Sequence, residues 1–529
     1  MAPNTGIASA GGRSLDPAML HTGKWWNHSH IVKLNLLLII PLITSYANGF
    51  DGSMMNGLQS VERWKAYFHY PTEEDLGLFN AIQSIGAFCA IPIAPYVSDG
   101  LGRRNGIAVG AFIVLIGAIL QTATQNLGMF VGSRFLIGFG TTFAQMASPL
   151  LISEVAYPTH RAPLTSLYNS LWFSGSIVAA WTTFGTFRIN SDWSWRIPSA
   201  LQGLSSSVQL LFVWFLPESP RWLINRGRDE EAKAILARYH ADGDASHPLI
   251  AFEYNEIKEA IALEAEAARV SWLDLFRTPG NRRRMRIILG IGVFSQWSGN
   301  GLISYYLGKL LDGIGITSSN DQTLVNGILA IYNFIIAISA SMTVEKVGRR
   351  PLFVISTAGM LVSYAIIAAM SATYEKTQNS GAGRALLAFV FVFNGFYAIA
   401  YTPLLVSYTI EILPFLIRAK GLAAMNFSVM GAIIFNQYTN PIAYSALKWK
   451  YYLVYTIWLM FELVYVGWLW ATETKGRSLE EDTAALFDGE DAVAELSNRT
   501  GQDMTQVKHT GSDSQDEKLN IEHSHREVA

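Results

Sequence analysis

Charge is the first thing this chain lacks. Only 15% of its 529 residues are Asp, Glu, Lys or Arg, while half are hydrophobic. Soluble domains carry about 25% charged residues, so an ordinary water-soluble protein is excluded. The net charge of −2 leaves no basic field to hold nucleic acid. There is one cysteine, Cys89, inside an apolar run, so no intramolecular disulfide and no thiolate metal cluster can form. The first 30 residues are polar, with Gly, Ser, His and Lys, so no cleavable signal peptide is expected. A nucleophile–base pair, a metal-ligand cluster and a phosphate loop are also missing. An enzyme, a cofactor and a bound metal are therefore not expected. The glycines around Gly138 have no strand before them, which excludes a nucleotide site.

Apolar sequence, by contrast, is plentiful, in runs near the roughly 20 residues that cross a bilayer core about 30 Å thick. Twelve candidates lie at 34–57, 77–97, 106–124, 127–148, 163–186, 199–217, 286–308, 323–344, 351–371, 384–410, 420–441 and 451–471. The expected fold is an all-α membrane protein of twelve transmembrane helices, in two six-helix bundles with short cytoplasmic helices. Arg103, Arg104, Arg161, Arg282–Arg284, Arg349, Arg350, Arg418, Lys420, Lys475 and Arg477 all fall on one side. The positive-inside rule assigns that side, and both termini, to the cytoplasm. The sequons at Asn27 and Asn498 then face the wrong way for glycosylation. The expected order is a cytoplasmic segment (1–33), a first bundle (34–217), a cytoplasmic loop (218–285), a second bundle (286–471) and a cytoplasmic tail (472–529). Within the loop, Asp229–Ala241 and Glu253–Val270 read as amphipathic helices. After about 485 the tail is acidic and Ser- and His-rich, a composition that favours disorder.

One layout is written twice. Asp99-Gly-Leu-Gly-Arg-Arg104 returns as Glu345-Lys-Val-Gly-Arg-Arg350. Glu154 and Arg161 are answered by Glu411 and Arg418, and Pro217-Glu-Ser-Pro-Arg221 by Thr472-Glu-Thr-Lys-Gly-Arg477. Gly102 and Gly348 allow a tight turn between antiparallel helices. Arginines at the membrane edge can pair with acids on neighbouring helix ends and separate again if the halves rock. The candidate gating residues are Asp99, Arg103, Arg104, Glu154, Arg161, Glu218, Arg221, Glu345, Arg349, Arg350, Glu411, Arg418 and Glu473. Simple anchoring of topology by positive charge is the alternative. Six plus six spans around a central loop is the layout of parallel repeats in the major facilitator fold.

Further motifs sharpen this: Gly49-Phe-Asp-Gly52, Gly132-Ser-Arg134 with Gly138 and Gly140, Trp195-Arg-Ile-Pro198, and Gln296-Trp-Ser-Gly299. With the duplicated pieces they cover roughly residues 34–481, and in them the chain resembles the sugar porter family of the major facilitator superfamily. Leu167-Tyr-Asn-Ser-Leu-Trp172 and Asn436-Gln-Tyr-Thr-Asn-Pro441 narrow the resemblance to the fungal lactose permease and cellodextrin transporter branch.

The resemblance implies a monomeric carrier whose partners are a sugar, a proton and the lipid bilayer. It places Asp51 beside Arg134 as the proton-coupling pair. Burial favours the acid form of such a group, and the arginine favours the carboxylate. A permanent structural ion pair is the alternative. Gln296, Asn300, Asn333 and Asn426 are amides in otherwise apolar helices of the second half, with Tyr305 nearby. Gln296, Tyr305 and Asn333 match sugar-contacting positions, Asn169 stands where glutamine is usual, and Tyr397 matches an aromatic lid. Hydrogen bonding between helices, worth roughly 0.6–2 kcal/mol each, is the competing reading for every one of them.

The departures also inform. Ser295-Gln296 replaces a glutamine pair, and Gly301 takes the place of an asparagine. Val429 replaces a glutamine, and Pro95 and Gly100 replace a glycine and a basic residue in the first loop. Val406 replaces the tryptophan that stacks on a hexose, which enlarges the cavity. The expectation is proton-coupled uptake of a disaccharide such as lactose or cellobiose across the plasma membrane. A facilitative hexose carrier is the alternative, and a nontransporting sugar sensor is disfavoured by the short tail.

Overall fold

The computed structural model describes residues 16–21, 24–341, 347–470 and 487. All regular structure among them is helical. Twelve long helices form the body. The first six are α1 (Ile39–Leu58), α2 (Glu73–Ala90), α3 (Arg103–Thr122), α4 (Leu127–Val155), α5 (Arg161–Thr186) and α6 (Trp193–Phe212). The second six are α7 (Pro279–Trp297, resuming as Asn300–Asp312), α8 (Ser319–Ser341), α9 (Arg349–Thr377), α10 (Ser380–Ile412), α11 (Phe415–Leu447) and α12 (Lys450–Val464). Between α6 and α7 the chain forms the short helices Pro220–Asn225, Asp229–His240, Pro248–Arg269 and Asp274–Arg277. The tail from 472 lies outside the described residues, except Phe487, whose ring packs 4.7 Å from the Arg284 guanidinium.

Seven stretches are long and apolar enough to cross a bilayer alone, and an eighth is α2 with its continuation Ala94–Leu101, bent by 48°. The bend falls between Pro92 and Pro95, where helix donors are lost. Four of the twelve, α5, α6, α7 and α12, fall short, and for three of them the reason is visible. α6 buries Ser199, Gln202, Ser206 and Gln209, α7 is broken, and α12 has 15 residues. Several helices outrun their apolar windows: α10 and α11 begin at 380 and 415, not 384 and 420. Hydropathy marks the turns inside hydrocarbon, and the backbone keeps its helical bonds beyond them.

The packing repeats with a period of six helices. α3 packs on α4 and α6, α2 on α4, and α1 on α5. Likewise α9 packs on α10 and α12, α8 on α10, and α7 on α11. Small residues let these backbones approach. A Cβ on Gly175 of α5 would lie 2.0 Å from the Tyr46 carbonyl oxygen of α1. The halves meet through α2 against α11, α5 against α8, and α1 against the second segment of α7.

The duplicated loops fold alike. Gly102 has φ 101° and ψ 161°, and Gly348 has φ 102° and ψ 164°. Residues with a Cβ rarely adopt this region. Glu218 then supplies what glycine cannot. Its Oε1 accepts the backbone N–H groups of Arg103 (2.9 Å) and Arg104 (3.3 Å), capping α3 with a carboxylate.

Candidate functional site

In the first half, Asp51 and Arg134 come together as the motifs imply. Both are buried, with Arg134 Nη1 3.8 Å from Asp51 Oδ1. This is an ion pair without a direct hydrogen bond, since each side chain is held by something else. Gln202 Nε2 of α6 donates to Asp51 Oδ1 (2.5 Å). Arg134 Nε donates to the Phe79 carbonyl (2.7 Å) and Nη2 to Gln83 Oε1 (2.5 Å), both on α2. Asp51 Oδ2 and Arg134 Nη1 have no hydrogen-bond partner among the described residues. A narrow crevice beside Asp51 is lined by Thr44, Thr141, Gln202, Ser206 and Gln209. Gln209 Nε2 donates to Thr44 Oγ1 (2.7 Å), and Thr44 meets Ser148 (2.8 Å), so polar groups continue from Asp51 toward the face of the arginine loops.

In the second half the polar residues gather around the break in α7. Gly299 stands there with φ +95°, and a Cβ on it would fall 2.4 Å from the Tyr364 ring. The break places Gln296 and Asn300 on either side of an interrupted helix. Gln296 is half-buried, and its Nε2 donates to Ser295 Oγ (3.2 Å). Its carbonyl accepts from Asn436 Nδ2 (2.5 Å), whose Oδ1 in turn accepts from the Tyr455 hydroxyl (3.2 Å). Tyr397 OH donates to the Ser295 carbonyl (2.8 Å), which leaves its ring beside the break. Tyr305 is half-buried in the second segment of α7. The amide oxygens of Asn300 and Asn333 are buried and have no hydrogen-bond partner among the described residues. Asn169 and Asn426 are exposed in mid-helix. No described hydrogen bond joins either of them to the group at the break.

The described side-chain hydrogen bonds between the halves gather away from the arginine loops. Asn56 Nδ2 donates to Asn326 Oδ1 (3.0 Å), Gln59 Nε2 to the Tyr305 carbonyl (3.0 Å) and Arg188 Nη2 to Asn320 Oδ1 (3.0 Å). Lys309 pairs with Glu73, and Ser84 Oγ donates to Gln437 Oε1 (2.7 Å). On the arginine-loop face the candidate gating pairs stay within one half. Arg103 pairs with Glu154 (3.2 Å) and Asp99 (2.9 Å), and Arg349 pairs with Glu411 (2.9 Å). Arg161 and Arg418 each hold the carbonyl five residues back, at 3.2 Å. Arg104 reaches the Leu216 carbonyl (3.5 Å) and Arg350 the Gly467 carbonyl (3.4 Å). Glu345 and Glu473 lie outside the described residues.

The loop helices bind this face through charges that the spacing did not indicate. Arg161 pairs with Glu253 (2.8 Å), not Glu154, and Arg221 with Glu264 (2.5 Å). Glu253 also meets His240 (2.6 Å). Lys420 Nζ reaches the Ala268 (3.2 Å) and Val270 (2.5 Å) carbonyls, tying the loop to the second half. Burial raises the Glu253 carboxyl, but His240 and then Arg161 outweigh it and hold it below the usual glutamate range. A lowered native value stabilises above the ordinary range and is lost as pH falls through the lowered value. Proteolysis of the 241–247 segment should therefore stay slow from neutral to mildly acid pH and accelerate only in stronger acid. Glu253→Ala should accelerate it at neutral pH, since stranding one partner of a buried pair costs on the order of 3 kcal/mol. Unchanged cleavage of the Glu253→Ala protein would show that the Glu253 pairs do not hold the loop helices in place.

Two interior residues escaped the sequence reading. Gln202 was hidden because glutamine in a polar-flecked helix carries no special signal. Glu462 carried one, as an acid within the apolar run 451–471, and it is fully buried in α12.

A family model described as "Sugar (and other) transporter" matches residues 37–486. The high-affinity glucose transporter of Kluyveromyces lactis is 28% identical over 478 residues, covering 85% of each chain. The hexose transporter HXT9 of Saccharomyces cerevisiae is 28% identical over 475 residues, 86% of this chain and 82% of that one. The inward-open structure of the xylose transporter XylE from E. coli superposes with a TM-score of 0.72 at 23% identity, covering 86% of this chain and 100% of that one. The proton:xylose symporter XylE bound to 6-bromo-6-deoxy-D-glucose gives 0.67 at 23% identity, with the same coverage.

Proposed function

The chain belongs to the sugar transporter family, and from that premise we propose that it carries a hexose-type sugar with a proton across the plasma membrane by alternating access. The arginine-loop face is the cytoplasmic one, following the positive-inside rule. The observation that carries the reading is the set of polar side chains at the α7 break, Gln296, Asn300, Tyr305 and Tyr397, with the Asn300 oxygen unpartnered among the described residues. A buried polar atom without a partner is costly, and a sugar hydroxyl is the donor it lacks. Asn333 offers a second such oxygen. Asn169 and Asn426 are polar, exposed and in mid-span, where water in an open cleft suits them better than lipid.

Bonds between the halves concentrate on the outer face, and the similarity to an inward-open xylose transporter agrees with an inward-facing state. In the opposite state these outer bonds break and the inner arginine–acid pairs rearrange. Asp51, held between Gln202 and Arg134, binds the coupled proton, and the crevice toward Thr44 gives it a polar way inward.

The expected disaccharide preference finds no support in the two relatives given above, which are named for glucose and hexose. One observation still favours a bulkier sugar: Val406, in the place of a stacking tryptophan, is 50% exposed. Uptake of labelled mono- and disaccharides in a transporter-null host, with and without a protonophore, separates the readings. Hexose accumulation that collapses with protonophore is the expected result. Uptake of no sugar at all would overturn the proposal.

A further inference from the structure

Glu462 has no part in the mechanism so far, yet it is the most buried acid among the described residues of the second half, with 0% exposure. Hydroxyls from two helices touch its carboxyl group, and one from a third stands behind them. From α10, Tyr401 OH lies 2.5 Å from Oε1. From α7, Ser298 Oγ lies 2.9 Å from Oε1 and 3.0 Å from Oε2. From α9, Thr357 Oγ1 lies 3.2 Å from the Tyr401 hydroxyl. The titratable groups facing it are Tyr401 and, stacked on that ring at 5.6 Å, Tyr397. No Lys, Arg or His pairs with it among the described residues. An intramembrane carboxylate without a cation is expensive.

The hydrogen count points the same way. Ser298 Oγ also contacts the Phe294 carbonyl at 2.5 Å, and Thr357 Oγ1 contacts the Phe353 carbonyl at 2.9 Å. Counting the two Ser298–carboxylate distances as one contact, five contacts thus compete for the single protons of three hydroxyls, since carbonyls and carboxylates only accept. With Glu462 ionised, two contacts lack a hydrogen. With Glu462 protonated, the acid donates to Ser298 Oγ, Ser298 donates to Phe294, and one contact lacks a hydrogen. The count favours the protonated acid by one hydrogen.

Its position gives that proton a use. Ser298 is the last residue before Gly299, so the hydroxyl that touches Glu462 sits at the break of α7, between Gln296 and Asn300. A movement of the second segment of α7 would pull on the same hydroxyl. We propose that Glu462 is a second proton-binding site of the transport cycle, protonated in this conformation and released when the α7 break moves. The release breaks the carboxylic O–H bond, and the proton passes by Ser298 to water in the cleft. Nothing is oxidised or reduced. The proposal rests on the transport reading, but not on Asp51 as the coupling site.

The test uses the full-length protein in proteoliposomes and infrared difference spectra recorded on adding glucose. Sugar should change a protonated-carboxyl band that is lost in Glu462→Gln and shifted in Ser298→Ala. Ser298→Ala guards against a Glu462→Gln protein that fails to fold. In parallel, Glu462→Gln should lower the proton-to-sugar ratio and flatten the pH profile of sugar exchange. A band that ignores sugar, or one that survives both substitutions, would overturn the proposal and leave Glu462 a fixed hydrogen-bonding group. If the parent moved sugar with no proton flux, the coupled reading would fail separately, and the band alone would decide Glu462.

Discussion

Asp51→Asn should abolish accumulation of sugar against its gradient while leaving exchange of sugar for sugar. The amide keeps the shape of the carboxyl group and an oxygen for Gln202 Nε2, which now sits 2.5 Å from Asp51 Oδ1. It cannot take up a proton. A pH gradient of one unit is worth about 1.4 kcal/mol, or about tenfold in concentration, to a carrier moving one proton per sugar. The accumulation ratio should fall from that order to one. Stability should also drop, because an uncompensated Arg134 remains, and stranding one partner of a buried pair costs about 3–5 kcal/mol. The bonds of Arg134 to the Phe79 carbonyl and Gln83 offset part of this, so folded protein is expected. The measurement is the steady-state ratio of a non-metabolised hexose in acidic medium, beside counterflow in the same cells. Cells expressing the Asp51→Asn protein that still concentrate the sugar would sink the coupling role of this residue.

The second large effect is expected at the α7 break. Gly299→Ala introduces a Cβ at φ +95°, where an L-residue pays about 1–2 kcal/mol. The same Cβ lies 2.4 Å from the ring of Tyr364. That ring cannot swing aside, because its hydroxyl donates to the Gly299 carbonyl at 2.7 Å and its face is walled by Phe393 and Tyr455. Overpacking adds about 1–3 kcal/mol. The sum, about 2–5 kcal/mol, is a large share of the roughly 5–15 kcal/mol that holds a native protein together. A marked loss of detergent-solubilised, monodisperse protein on heating should follow. Tyr364→Leu in the Gly299→Ala background should relieve the clash but not the backbone strain, so the two changes couple in a double-mutant cycle. If Gly299→Ala melts with the parent, the break is not the constrained turn described here.

Much of this molecule can be read from residue order alone. Runs of about 20 apolar residues specify spans because backbone polar groups in hydrocarbon must bond within one helix, whatever the neighbours do. The duplicated acid-Gly-Arg-Arg loops announced a repeat, and Gly102 and Gly348 adopt nearly the same positive-φ turn. Asp51 and Arg134 stood out as charges inside apolar runs, and the family resemblance placed them side by side.

What residue order left open was every choice among equivalent partners. Arg161 had Glu154 at a suggestive spacing and took Glu253 from a distant loop, since chain separation says little about which carboxylate a folded surface presents. Gln202 became the clamp on Asp51 only because α6 packs against α1. Glu462 is one acid in an apolar run by sequence. Its surroundings, hydroxyls from three helices and no cation among the described residues, exist only once α7, α9, α10 and α12 are packed. Local rules set helices and turns because their hydrogen bonds close within a few residues. The identity of a buried polar partner depends on residues hundreds of positions apart meeting where water is excluded, and only the tertiary structure decides that.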